Sequence, residues 1–207
     1  KRILLVGAGA TGASYLEAMC DAGVDTVFVM DYDTASITNF ARAPSFIGFE
    51  GEAKAQILAA RYDGINGTRF LPIVDRFHEG RERPPVALIV CGVDGYDNQL
   101  RVINRSQRDK IPLLLAGCEP FTATIFTYVP GMTSSLVRQF DFERHAYLAA
   151  IREHHPHCTD ADAAGSQMIT TAFAGAALAA ETFNVFAGRP ADGTLFYDML
   201  RNPRLTY

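Results

Sequence analysis

The chain has no C-x-x-C pair. Its four cysteines, Cys20, Cys91, Cys118 and Cys158, stand far apart in 207 residues. A structural zinc centre built on paired thiolates is therefore not expected. Free thiols suit a cytoplasmic protein, where disulfides are rare. Basic clusters are also missing, and the net charge is −4. That excludes the electrostatic footprint of a nucleic-acid-binding surface. No apolar run reads as long enough to span a bilayer, so no membrane partner is expected. The chain opens directly on a strand pattern, and no signal peptide is expected. Its first residue is Lys1 rather than Met, which leaves room for an upstream segment. There are no internal repeats and no low-complexity segments. With 48% hydrophobic residues, a sizeable core is within reach. The length fits one α/β domain, or one domain with a small appendage.

Against these absences stands the opening. Ile3-Leu4-Leu5-Val6 is too continuously apolar for a half-exposed strand and fits a central parallel strand covered on both faces. Gly7-Ala8-Gly9-Ala10-Thr11-Gly12 follows at once, then a helical run over 11–22 that Gly23 stops. Gly7 and Gly9 can take backbone angles closed to other residues. Gly9 lets the main chain approach phosphate, and Gly12 lets the helix pack close to the sheet. Val27-Phe28-Val29-Met30 is the second strand. Asp31 at its carboxyl end is placed to accept hydrogen bonds from ribose hydroxyls. Strand, glycines, helix, strand and acid in this order predict a nucleotide site. The bland alternative is a glycine-rich turn used for packing. The fingerprint alone does not separate a redox dinucleotide from ATP.

Strand and helix signals alternate further on: a helix over 53–62, a strand within 68–77, a polar loop over 81–85 and a buried strand over 86–91. A helix over 99–108 and a buried strand over 112–116 come next. Residues 122–129 alternate, which suits a more exposed, antiparallel strand. Beyond Pro130-Gly131 the character changes. Residues 140–154 are amphipathic and helical, 154–162 are irregular and polar, and 165–186 form a long helix rich in small residues. The tail, 189–207, is expected to add short strands. The fold class is α/β: a Rossmann-like, largely parallel sheet with helices on both faces and late antiparallel strands.

A second constellation bears on the class of nucleotide. After Asp31 come Tyr32, Asp33, Asn39 and Arg42, and then Lys54 behind Gly51-Glu52-Ala53. A guanidinium and an ammonium beside a phosphate loop suit a triphosphate, whose charge must be neutralised. Asp94 is read as ending the strand 86–93, where ligands of an open parallel sheet sit. A carboxylate there can hold Mg²⁺ that bridges phosphate oxygens. Taken singly, each charge is an ordinary surface group or turn residue. Their order favours a site.

In these residues the sequence resembles the ThiF/MoeB group of ubiquitin-activating-like adenylyltransferases. The resemblance runs through Asp31-Tyr32-Asp33 with Asn39 and Arg42, Gly51-Glu52-Ala53-Lys54, and Val93-Asp94 with Arg101 and Asn104. It continues through Ile111-Pro112-Leu113, Tyr128-Val129-Pro130-Gly131 and Ala180-Glu181. It implies that Gly7, Gly9, Gly12, Asp31 and Asp33 help form the ATP site, with Asp31 on the ribose. Asn39, Arg42 and Lys54 would meet the phosphates and Asp94 would bind Mg²⁺. The implied reaction is attack by the C-terminal carboxylate of a ubiquitin-like or sulfur-carrier β-grasp protein on the ATP α-phosphate. The implied partners also include a conjugating enzyme and a second copy of the chain. Residues 1–135 would be the ATP-binding core, 136–164 a helical crossover segment, and 165–207 the helix and strands that complete the domain. Three departures stand beside this. The two zinc-binding C-x-x-C pairs common in the family are absent. Gly95 follows Asp94 where the family often has Asn. The region that often carries an activating Arg lies upstream of Lys1.

Many relatives pass the activated carboxyl to a cysteine. Cys158 is the candidate, ahead of the long helix, with His154, His155, His157 and Arg152 able to favour its thiolate. The alternatives are an ordinary loop cysteine beside surface histidines, or a metal site. Cys118 is a second, weaker candidate; Cys20 and Cys91 read as small buried hydrophobes. Two other functions compete with adenylation. One is an NAD(P)-dependent oxidoreductase, which would leave Asn39, Arg42, Lys54 and Asp94 without purpose. The other is a non-catalytic scaffold with the fold of an activating enzyme. Sulfur transfer and protein conjugation both begin with adenylation, and the missing zinc cysteines tilt the expectation toward conjugation.

Overall fold

The computed structural model describes residues 1–118, 121–133 and 161–198. Strand β1, Arg2–Val6, leads into α1, Ala10–Met19, and then β2, Thr26–Met30. A four-residue helix α2, Ile37–Phe40, and a 3-10 turn, Pro44–Phe46, precede α3, Lys54–Tyr62. Next come β3, Arg69–Ile73, and β4, Leu88–Cys91, joined by the polar loop. Helix α4, Tyr96–Asp109, leads to β5, Leu113–Cys118, and β6, Thr122–Tyr128. Helix α5, Ala161–Phe186, and β7, Thr194–Asp198, complete the described chain. Cys158 and its histidines, and the helix expected over 140–154, lie outside the described residues.

The seven strands form one sheet in the order β3-β2-β1-β4-β5-β6-β7. The first five in that order run parallel; β6 and β7 join antiparallel. This is the α/β architecture the sequence predicts, with its late reversal. Alternate residues of each strand divide the core in two. Ile3, Leu5, Val27, Val29, Leu88 and Val90 face a cluster that α1, α3 and α5 complete. Leu4, Val6, Met30, Ile89 and Cys91 face the other side, under Val102 and Ile103 of α4. Burial on both faces is why these strands are continuous apolar runs.

Several expectations shift; among the element bounds, α1 ends at Met19 and α4 already begins at Tyr96. Strand β4 ends at Cys91, not Val93, because Gly92 to Gly95 leave the ladder for a loop; Asp94 therefore sits beyond the strand end. Strand β6 is antiparallel as expected but well covered: α5 packs on one face and β7 occupies its outer edge, leaving Ala123, Ile125, Phe126 and Thr127 buried. Helix α5 begins at Ala161 rather than Gly165. Its stretch Met168–Phe186 is, by length and composition, long and apolar enough to cross a membrane, contrary to the expectation. Its inner face packs on α1, β5 and β6, as in the core helix of a globular domain.

Small residues let α1 and α5 cross closely. A Cβ on Gly175 would lie 2.5 Å from that of Ser14. Beside this crossing the Tyr15 hydroxyl and Thr182 Oγ1 lie 3.2 Å apart, within hydrogen-bond reach. Glu181 is 2% exposed. Its carboxylate accepts from Thr127 Oγ1 at 3.1 Å, Asn184 Nδ2 at 2.9 Å and the Ala191 N–H at 2.7 Å. Those donors offset the cost of taking a carboxylate out of water.

Candidate functional site

The carboxyl ends of β3, β2, β1 and β4 open on one side of the sheet, where chain winding reverses between β1 and β4. Open α/β sheets bind ligands at such a switch point. A cavity of about 160 Å³ lies there. Its walls are the glycine loop (Gly7, Gly9), the loop after β2 (Asp31, Tyr32, Asp33), Lys54, the loop after β3 (Asp75, Arg76, Phe77) and the loop after β4 with Asn98 and Val102 of α4. A second cavity, of about 190 Å³, lies between α4 and the loop carrying Pro84 and Pro85. Its charges are already engaged there: Arg105 pairs with Asp109, and Arg83 with Asp75. It lacks the convergent backbone and acidic groups of the first.

Each glycine of the loop has its own reason. Gly7 has φ +97°, and a Cβ there would lie 2.8 Å from backbone atoms of Gly92 and Val93. At Gly12 a Cβ would lie 2.1 Å from the Gly7 carbonyl oxygen. Only a bare backbone lets the first turn of α1 sit against the loop. Gly9 differs, since a Cβ there meets nothing within 4 Å. Nothing internal demands glycine at that position, which faces the open cavity.

Asp31 is braced from two sides. Its Oδ2 accepts the Ala8 N–H at 2.7 Å, and its Oδ1 accepts the Asp33 N–H at 2.8 Å. Burial nonetheless pushes its carboxyl above the usual carboxylate range, and the two N–H groups and Lys54 offset only part of that. Lys54 arrives through a short antiparallel contact. Thr34 bridges Ala53, and the Lys54 N–H donates to the Asp33 carbonyl at 3.0 Å. The Lys54 side chain is almost fully buried, and its Nζ lies 3.2 Å from Asp33 Oδ2. Asp94 is exposed at the cavity rim, and its carbonyl accepts from Asn98 Nδ2 at 3.1 Å.

The structure thus brings Gly7, Gly9, Asp31, Asp33, Lys54 and Asp94 around one cavity. Gly12 sits one turn behind. Asn39 and Arg42 do not line it among the described residues. Asn39 closes a capping box, its Oδ1 accepting the Ser36 N–H at 3.1 Å. Arg42 is half-buried just beyond α2. Arg76, Phe77, Asn98 and Val102 are wall residues that sequence reasoning missed. The signal for Arg76 and Phe77 was their place just past the end of a parallel strand.

Of the three described cysteines, all free, Cys20 is half-buried just past α1 rather than the core residue the sequence suggests. Burial pushes the Cys91 thiol up to about 12, which suits an inert core residue. Cys118 is half-buried at the end of β5, its Sγ 3.5 Å from Thr11 Oγ1. Among the described residues no group of three or more His, Cys, Asp or Glu could hold a metal. Mg²⁺ needs no such cage: it keeps several waters and takes one or two carboxylates plus substrate phosphates. The exposed Asp94 carboxylate fits that requirement.

Comparison with known proteins is consistent with this geometry. The ThiF family model matches residues 1–205. The chain is 27% identical over 144 residues to the sulfur carrier protein ThiS adenylyltransferase of Bacillus subtilis, covering 65% of this chain and 42% of the relative. It is 28% identical over 144 residues to the NEDD8-activating enzyme E1 catalytic subunit of Schizosaccharomyces pombe, covering 64% of this chain and 32% of that protein. The chain therefore spans less than half the length of either. In fold it is similar to Escherichia coli MccB crystallised with AMPCPP and MccA, with a TM-score of 0.68 and 17% identity over 98% of this chain and 65% of that one.

Proposed function

The chain belongs to the ThiF family, and on that premise we propose that it adenylates the C-terminal carboxylate of a ubiquitin-like or sulfur-carrier protein with ATP. One observation carries this reading: the glycine loop, the braced Asp31 and the buried Lys54 converge on one cavity at the switch point of the sheet. The named relatives support the substrate class. One acts on the sulfur carrier ThiS, another activates NEDD8, and MccB was crystallised with MccA.

The chemistry asks little acid–base work of the protein. A carboxylate is already ionised. One of its oxygens attacks the α-phosphorus, a P–O bond forms, and the bond to the β-phosphate bridging oxygen breaks. Pyrophosphate leaves with that electron pair. Catalysis then rests on positioning and on stabilising charge at the phosphates. Gly7 and Gly9 would admit the phosphates against the backbone and the N-terminus of α1. Asp31 would accept the ribose hydroxyls. Lys54 would donate to the phosphates; Asn39 in α2 and Arg42 just beyond it stand off the cavity wall and would serve only as outer phosphate donors. Asp94 would hold Mg²⁺, which supplies charge neutralisation when bound. A homodimer and cytoplasmic location belong to the same proposal.

The test is exchange of labelled pyrophosphate into ATP, dependent on a small β-grasp protein with a Gly-ended tail. Exchange that is lost in Lys54→Ala and on chelation of Mg²⁺ is the expected result. A folded protein with no exchange against any such carrier would point to the scaffold reading. Transfer to Cys158 is a separate, later step. In Cys158→Ala the thiol-sensitive conjugate should vanish while exchange persists; an undiminished conjugate overturns it.

A further inference from the structure

Arg76 has an unusual station. It follows β3 at the edge of the cavity, and its guanidinium lies 4.2 Å from the centroid of the Tyr32 ring. Both side chains are exposed, Tyr32 at 49%. Its neighbour Asp75 pairs with Arg81 and Arg83, whereas among the described residues Arg76 forms no ion pair. Arg76 is thus a cation seated over an aromatic ring, with the side of its guanidinium away from Tyr32 uncovered by that ring.

The order of strand ends fixes what that side can meet. The glycine loop follows β1, the braced acid follows β2, and Arg76 follows β3. Strand neighbours lie about 4.8 Å apart, so the β3 end stands about 10 Å from the β1 end. A nucleotide with its phosphates at the loop and its ribose on Asp31 must direct its base toward β3. There it meets the guanidinium of Arg76, with Phe77 and Val102 on the inner side. The 4.2 Å spacing leaves no room for a base between Arg76 and Tyr32, so the base takes the outer face of the guanidinium. A planar, delocalised cation backed by an aromatic ring stacks on a base and offers N–H donors at its edge.

Resting on the ATP reading above, we propose that the Tyr32–Arg76 stack is the base-side platform of the nucleotide site and the determinant of its preference for purines. Arg76 is here a specificity residue that touches the base rather than the phosphates.

Calorimetric titration of the full chain with ATP, CTP, adenosine and inorganic tripolyphosphate tests this. Arg76→Ala should weaken ATP and adenosine by the same factor, roughly ten-fold, leave tripolyphosphate unchanged, and collapse the wild-type preference for ATP over CTP. Arg76→Lys should not restore it, because an ammonium cannot stack as a plane. Equal losses for ATP and tripolyphosphate with adenosine unchanged would make Arg76 a phosphate contact and overturn the proposal. Unchanged affinities in Arg76→Ala would overturn it as well. A wild-type chain that binds no ATP would instead bring down the functional reading beneath it.

Discussion

Asp31 sits under two opposed demands. Its two N–H donors and Lys54 favour the carboxylate, and its burial favours the acid, which wins on balance. Because the folded value lies above the ordinary one, ionisation opposes folding. The group's contribution to stability is fully present below about pH 4 and is lost as pH rises through the raised value. Ribose binding has the opposite sign, since hydroxyls donate to the ionised form. ATP affinity should therefore fall as pH drops through the raised value, and Asp31→Asn should flatten that limb in binding titrations from neutral to acidic pH. At neutral pH the same variant should lose roughly 10- to 100-fold in ATP affinity, as hydrogen bonds to a charged group are worth about 1.5–3 kcal/mol. Asp33 has a different task. It is the carboxylate beside a nearly buried ammonium, and removing one partner strands the other. Asp33→Asn should lower stability to urea by about 1 kcal/mol and disorder Lys54, raising KM for ATP in the exchange assay more than it lowers kcat.

At the scale of elements, glycine sets how closely α1 can approach its neighbours. Gly12 meets the loop and Gly175 meets Ser14. Overpacking costs about 1–3 kcal/mol, so Gly12→Ala and Gly175→Ala should each lower Tm, by roughly 2–12 °C in a domain of this size. The two should differ in calorimetry with ligand. Gly12→Ala shifts the loop and should weaken ATP as well, whereas Gly175→Ala acts far from the cavity and should leave affinity intact. The elements themselves were largely legible. Strands β1, β2, β4 and β5 are apolar runs too continuous to be anything else, and Gly7 to Gly12 mark their own turn. Helix α2 was not legible, because four residues carry no periodicity and its start depends on the Ser36–Asn39 cap. The sequence offers Asn39 as a phosphate donor but does not show that its amide oxygen also accepts the Ser36 N–H. Gly92 and Gly95 both follow the true end of β4 at Cys91, yet apolar Val93 extended the strand pattern and drew Asp94 onto it.

For the molecule as a whole, the two nucleotide readings part on one measurement. Mg-ATP at a hundred times its Kd stabilises by about 2.7 kcal/mol, so Tm should rise by roughly 5–10 °C; NADH at the same concentration should not move it. A rise with NADH alone would restore the oxidoreductase. The sequence carried the site's near wall well, because Gly7, Asp31 and Lys54 belong to local patterns. It carried the far wall poorly, because Arg76, Asn98 and Val102 reach the cavity only through the sheet order. That order has a kinetic side. Ile3 pairs with Leu88, so the wall after β4 meets the glycine loop only when a long stretch of chain has closed. Non-local parallel pairing of this kind is slow to form. During refolding, ATP binding should therefore appear late, after the hairpin-like contacts of β5 and β6, and nucleotide should act as a lock on the finished fold rather than as a template for its early steps.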